Sequence, residues 1–408
     1  MNIQTPVRLG PAEEKLITQL QSAGAQAQAD RLRVRGLPTR RVESYHYTDL
    51  KMLLRDVPDL PVAGESADAP ELRVPGSFRL LVADGDVQAV GTAPAGVIVS
   101  QLDGPALSER DDPIVGINRA LVPATLKVRL ESSVDPVVHI DRRATGVAGH
   151  VVGSLQIDLA DGATATVLES CSGSDAEHLT NFATRVNLGK GASLLHIVVD
   201  LSGAAVTRFH TLEYDVSAES NLHGLVLNSG SKLSRTQILG SVNGEGAHVD
   251  LNGLNLVNGG QHCDITMDLT HAVPHTTSKE KFKVVARDQA KAVFQGKLLV
   301  AQDAQKTDAK MMMQGLMLGA TAEILSKPEL EIYADDVVCG HGSTCGDLDH
   351  DALFYLMSRG VSRAVAESML IRAFVQELLD PIEDAELNEA LSGVVEEWLA
   401  QEGQNLKI

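Results

Sequence analysis

Aromatic side chains are scarce in this chain. Phe, Trp and Tyr make up 3% of its 408 residues, with a single Trp. The sizeable core that such a length can bury must therefore be filled by Val, Leu, Ile and Ala. Cysteine is scarce as well, at four residues, which argues against a disulfide framework and for free thiols or metal ligands. Basic residues fall short of acidic ones, 35 Lys and Arg against 54 Asp and Glu, for a formal net charge of −19. Such a surface repels phosphate backbones and argues against a nucleic-acid partner. No apolar run is long enough to span a bilayer. The opening residues, MNIQTPVRLGPAEEKL, have no apolar core behind a basic start, so no signal peptide is expected and the chain reads as cytoplasmic.

Several catalytic signatures are missing too. There is no GxxxxGK followed by Ser or Thr, so any ATP dependence must come from a partner. GxSxG and HExxH are absent, and no Ser/His/Asp set can be assembled. The chain is read as a non-enzyme.

What is present falls into three textures. The first spans 1–122. Ala12–Leu32 carries Leu16, Ile17, Leu20 and Leu32 at helical positions, GLPTRR breaks it, and Ser44–Leu54 predicts a second short helix. Residues 58–76 are rich in Pro, Gly and small residues and read as a linker. Asp111–Leu121 predicts a helix with an acidic start and Pro113 in its first turn.

From 123 to 338 strand-like runs alternate with Gly/Asp/Asn turns. A turn followed by a small residue recurs near Gly162, Lys190, Glu219, Glu245, Asp288 and Gly319, at mostly regular intervals with one wider gap. Helices between the strands are lacking, which excludes a doubly wound α/β sheet. A parallel β-helix fits: stacked coils bury one continuous aliphatic core. A β-sandwich is the competing fold.

Residues 339–408 turn helical, with a glycine stop at Gly360, a candidate cap at Ser362 and an apolar stripe at Leu370, Ile371, Phe374, Val375 and Leu378. Trp398 sits on a last, acidic helix. Its stripe reads as core, with a partner anchor as the alternative.

The chemistry-bearing stretch is EIYADDVVCGHGSTCG, Glu331–Gly346. Cys339 and His341 are two residues apart, so an extended backbone points both to one face. A thiolate and a neutral imidazole suit Zn, Fe or the edge of an iron–sulfur cluster. Two ligands are too few to hold a metal alone. The remainder must come from elsewhere in the chain, from a second protein or from sulfide. The competing reading is a half-buried cysteine and a surface histidine in a turn. Cys345 is a third ligand, a resolving thiol or a small apolar residue under the loop. Asp335 and Asp336 are adjacent and face opposite ways in a strand, a poor acid/base pair. Cys171 and Cys263 lie in strand-like runs and read as core. His271 and His275 precede a basic patch and read as a solvated loop, with a site as the alternative.

The block KPELEIYADDVVCGHGSTCGDLDHDALFYLMSRGVSRAVAESMLIRAFVQELL resembles the C-terminal signature of the SufB/SufD family of SUF iron–sulfur cluster assembly scaffolds. GLPTRRVESYHYTDL, Gly36–Leu50, resembles the N-terminal signature of the same family. SufB-like chains carry a cysteine before the K-P/E-L-E-I strand and a glutamate after the histidine. Here GLMLGATAEILSKPELEI has no cysteine and Gly342 follows His341, so the resemblance is to the SufD branch. Gly340 and Cys345 depart from the common motif.

The resemblance implies a right-handed parallel β-helix core between N- and C-terminal helical domains. It implies pairing with SufB through the β-helix, docking of the SufC ATPase on the C-terminal helices, and a homodimer when the chain is alone. It places the family's key histidine on His341 and the neighbouring cysteine on Cys339. Both are candidate ligands of a transient Fe–S cluster at the subunit interface, with ATP entering only through SufC. The alternatives are a SufB-like paralogue, a stand-alone β-helix enzyme and a self-sufficient metalloprotein using Cys339, His341 and Cys345.

Overall fold

The computed structural model describes residues 8–61 and 71–401. Residues 62–70 of the expected linker, and 1–7 of the segment weighed as a leader, lie outside the described residues.

The N-terminal part opens with α1 (Pro11–Ser22) and α2 (Gln26–Arg35). The single helix expected over Ala12–Leu32 is split at Gly24, whose φ of +74° favours glycine and ends α1. Pro11 sits at the start of α1, and the Glu13 carboxylate accepts from Gly10 N–H at 2.6 Å, which satisfies an orphan amide. The helix expected at Ser44–Leu54 is reduced to a turn at Glu43–Tyr45 and the one-turn α3 (Leu50–Leu53). α4 (Pro113–Leu121) forms as expected, with Asp112 capping the amides of Ile114 and Val115.

The core is a parallel β-solenoid. Among the described residues nineteen strands divide into a 10-stranded and a 9-stranded sheet, and from Ala124–Leu130 onward successive strands alternate between them. Each coil thus contributes one strand to each sheet, so the solenoid is flattened. Parallel ladders run through both sheets, which overturns the sandwich. Among the described residues antiparallel pairing occurs only at the N-terminal end, Phe78–Ala83 with Asp86–Val90 and Val97–Asp103 with Ala124–Leu130. Strands from 78–103 therefore belong to the solenoid, although the sequence groups them with the N-terminal part.

In-register positions such as Leu179, Thr207, Leu233, His262 and Lys291 stack one coil above the next. Val128, Ile157, Val186, Leu212 and Ile238 fill the interior, giving the aliphatic core that the scarcity of aromatics requires.

The turn repeat has a physical reading that the sequence blurred. Gly162, Lys190, Glu219 and Glu245 stack on one corner, which continues through His275 and Lys306, tied by amide-to-carbonyl bonds from coil to coil. Asp288 and Gly319 belong to the opposite corner, with Gly259. The wide gap is the step from one corner to the other.

The C-terminal helices α5 (His350–Ser358), α6 (Arg363–Gln376) and α7 (Ala385–Ala400) follow. Ile371, Val375, Leu387, Leu391 and Trp398 pack on the outer face of one sheet against Leu227, Leu254 and Leu256. Trp398 is 1% exposed, with the Arg287 guanidinium 4.2 Å over its ring, so it is core and not a surface anchor. Ser362 stands at the cap position of α6 without a side-chain cap bond.

Candidate functional site

Cys339 and His341 lie on the final strand, Val338–Gly346. This segment is an edge strand rather than a loop, and it extends the solenoid eight residues into what the sequence reads as the helical part, 339–408. Among the described residues it pairs on one side only, with Asp308–Met317. Cys339 is registered to Ala309, His341 to Met311 and Cys345 to Gly315. Ala309 and Met311 belong to the solenoid core, so the face shared by Cys339, His341, Ser343 and Cys345 is the interior one. Cys339 packs against that core, while His341 is exposed at the open end. Gly315 makes room for Cys345, since a Cβ there would stand 3.3 Å from the Cys345 Sγ.

Burial raises the Cys339 thiol above its usual range. The Ala309 backbone opposes that shift, and the Asp308 and Glu280 carboxylates add to it. Burial raises the Cys345 thiol as well. Neither thiol is preset as a thiolate, so a cation or another electrophile must displace a proton to bind. Among the described residues no three His, Cys, Asp or Glu side chains converge to hold a metal ion. Asp336 forms an ion pair with Lys306 at the solenoid corner, and Asp335 is exposed there. Cys339 and His341 thus share one face of a strand that, among the described residues, has no neighbour on its outer side.

The remaining sequence candidates disperse. Cys171 and Cys263 are buried in strands, as expected. His262 and Cys263 face opposite ways: Cys263 joins the interior core, and the His262 Nε2 stands 3.0 Å from the Thr48 hydroxyl. His271 and His275 do not form one loop. His271 is fully buried against Thr276 and Ser278, at 2.8 and 2.9 Å, while His275 occupies a corner with φ +57°.

Two features escaped the sequence. The first is a charged network inside the solenoid. Glu169, fully buried, meets Arg142 Nε at 2.9 Å, His196 Nε2 at 3.0 Å and the Thr184 hydroxyl at 3.0 Å. Burial alone would raise its carboxyl, but Arg142 and His196 outweigh that and hold it well below the usual range. The period-2 alternation of TATVLESC, with Glu169 in phase with Val167 and Cys171, carried the signal.

The second is the work of the Gly36–Leu50 segment, which clamps the N-terminal part to the solenoid. Tyr45 is 1% exposed, lies under the Arg235 guanidinium at 4.1 Å and donates to Asp112 at 2.8 Å. Thr48 donates to Asp264, which also pairs with Arg235. Asp49 accepts from the Met52 amide at 3.1 Å and so caps α3.

Fold and site together define a helix-flanked parallel β-solenoid with a cysteine and a histidine side by side on one face of its terminal edge strand. The model of the family described as "SUF system FeS cluster assembly, SufBD core domain" matches residues 142–374. The chain is 33% identical to the iron–sulfur cluster assembly protein SufD of Escherichia coli K12, over 94% of this chain and 93% of that protein. It is 34% identical to a SufBD family protein of Synechocystis, over 52% of this chain and 46% of that one. It is also 28% identical to SufD of Plasmodium falciparum, over 51% and 14%. The chain belongs to the SufBD family and is a SufD-type iron–sulfur cluster assembly protein of the SUF system. Among the described residues no helix is long and apolar enough to cross a membrane.

Proposed function

We propose that the chain is a non-catalytic scaffold subunit. In this reading it pairs with SufB through the open end of its solenoid, docks the SufC ATPase on its C-terminal helices and lends Cys339 and His341 to a nascent Fe–S cluster at the SufB interface. The work is cytoplasmic, and ATP enters only through SufC. Iron and sulfide are cargo, held while the cluster forms.

One observation carries the reading. The edge strand VCGHGSTCG contains no Lys, Arg, Asp, Glu or Pro, the residues that soluble proteins place on an edge to keep it unpaired. Its free amides and carbonyls, and the soft ligands between them, suit completion by another chain. The SufC contact is supported by α5 and α6, which expose Phe354 (74%), Tyr355, Val365 and Met369.

The test is isolation of the chain from its own cells, with iron and sulfide analysis of what accompanies it. SufB and SufC are expected in the isolate. His341→Ala should cut cluster formation on the complex by tenfold or more and leave the melting temperature unchanged. Normal cluster assembly by both His341→Ala and Cys339→Ala removes the site from the reading.

A further inference from the structure

Below the open end of the solenoid lies an acid that the half-site reading leaves without a role. Glu280, on the strand Thr277–Ala286, is 1% exposed, and neither of its carboxylate oxygens has a hydrogen-bond partner. The hydroxyl beside it, Ser278 Oγ, is directed at His271 Nε2 instead, at 2.9 Å.

The register shows what Glu280 faces. It stacks beneath Met311, which stacks beneath His341, and Ser278 stacks beneath Ala309 and Cys339 in the same way. Glu280 thus shares the interior face with Cys339 and His341, two strand spacings or about 10 Å away across the sheet. Only the Ala309 methyl and the Met311 thioether stand between them in those columns. When ionised, the Glu280 carboxylate is close enough to raise the Cys339 thiol. A second interior polar atom near the mouth, Ser326 Oγ on the last strand of the other sheet, is also buried without a partner.

We propose that Glu280 is the charge-balancing carboxylate of the Cys339–His341 site: from the interior face it supplies the negative charge that a divalent cation at the edge requires. The proposal rests on the half-site reading. Cys339 contributes one negative charge and His341 none, so a dication held by the pair leaves one positive charge in a half-buried place. An ionised Glu280 cancels it.

Without a cation the acid is held neutral. Burial pushes its carboxyl up to about 8, Asp250 adds to the shift, and Ser278 only partly opposes it. On the edge side Asp308, Cys339 and His341 are titratable, and on the other side His271 meets the neighbouring Ser278. Lys279 and Lys281, adjacent on its own strand, point to the opposite face. Arrival of the cation therefore displaces two protons, one from the Cys339 thiol and one from the Glu280 carboxyl. The sulfur–metal bond forms as the S–H bond breaks, and no electron is transferred.

Cobalt(II), added without oxygen to the full chain together with the subunits that accompany it, tests the proposal. Three readouts apply: the thiolate-to-cobalt absorption band, the protons released per cobalt in weak buffer, and the infrared band of a protonated carboxyl. The native chain should release about two protons per cobalt and lose the carboxyl band, because metal binding is coupled to ligand deprotonation. Glu280→Gln should release about one, show no carboxyl change and bind cobalt at least tenfold more weakly.

Unchanged proton release and affinity in Glu280→Gln overturn the role of Glu280 and leave the half-site standing. A cobalt band that survives Cys339→Ala and His341→Ala sinks the half-site reading itself. Cobalt that produces no thiolate band in any form overturns both.

Discussion

At the scale of single residues, the pairing of Cys339 with His341 was legible because a strand alternates its faces, and their spacing holds whether the segment is called a loop or a strand. Glu280 was not read, although its signal was present. In SKEKFK the lysines fall on one face and Ser278, Glu280 and Phe282 on the other, so the charge of the surrounding residues disguised an inward-facing acid. The same burial gives a stability prediction. The folded-state pKa of Glu280 is raised from 4.5 to about 8, so the folded chain binds the extra proton between those values. Stability from this group is fully present below pH 4.5 and is lost as pH rises towards about 8. Glu280→Gln has no proton to lose. It should match the native chain near pH 4.5 and exceed it near pH 9 by roughly 3–5 kcal/mol, because holding one extra proton is worth about 1.4 kcal/mol for every pH step between the two pKa values. Urea unfolding at both pH values checks this, and an equal gap at the two would refute it.

At the scale of elements, the flanking helices and the alternation of strands with turns could be read, because helical stripes and period-2 runs are local patterns. Which corner each turn occupies could not, since that depends on coil-to-coil stacking between residues about 29 apart, as in the pairing of His262 with Lys291. The corners also impose a demand that local pattern hides. A Cβ on Gly244 would lie 1.9 Å from the backbone nitrogen of Ala218 in the neighbouring coil, and a backbone atom cannot swing aside as a side chain can. Gly260 has open space at the same position. Gly244→Ala should therefore cost roughly 2–3 kcal/mol, as overpacking does in a tight core, and Gly260→Ala well under 1 kcal/mol. Denaturant midpoints with unchanged m-values give the comparison. Equal losses at both glycines would show that the contact between coils is not what restricts Gly244.

At the scale of the whole molecule, the solenoid is closed differently at its two ends. The N-terminal end is finished by antiparallel strands, while the C-terminal end leaves one edge strand without charge or proline. The sequence showed the candidate soft ligands of that strand but not its exposure, because an edge is defined by which strand comes last in the stack. Around it Tyr333 (62% exposed) and Val338 (61%) present apolar surface that no other part of the described chain covers. An edge of this kind invites pairing, and natural proteins suppress such pairing with lysine. Placing that device here separates assembly from folding. Tyr333→Lys with Val338→Lys alters no buried contact, so the melting temperature should stay within about 2 °C of the native value. If the edge is the SufB surface, the same pair sits where an apolar interface core would lie, and each change should cost about 1–2 kcal/mol of association. Together they should weaken capture of SufB by tenfold or more, read from co-purification and from the dissociation constant at fixed salt. They should leave SufC binding intact, because α5 and α6 are untouched. A double variant that melts normally and still captures SufB at native affinity would move the pairing surface away from this edge, and with it the reason for placing a shared cluster at Cys339 and His341.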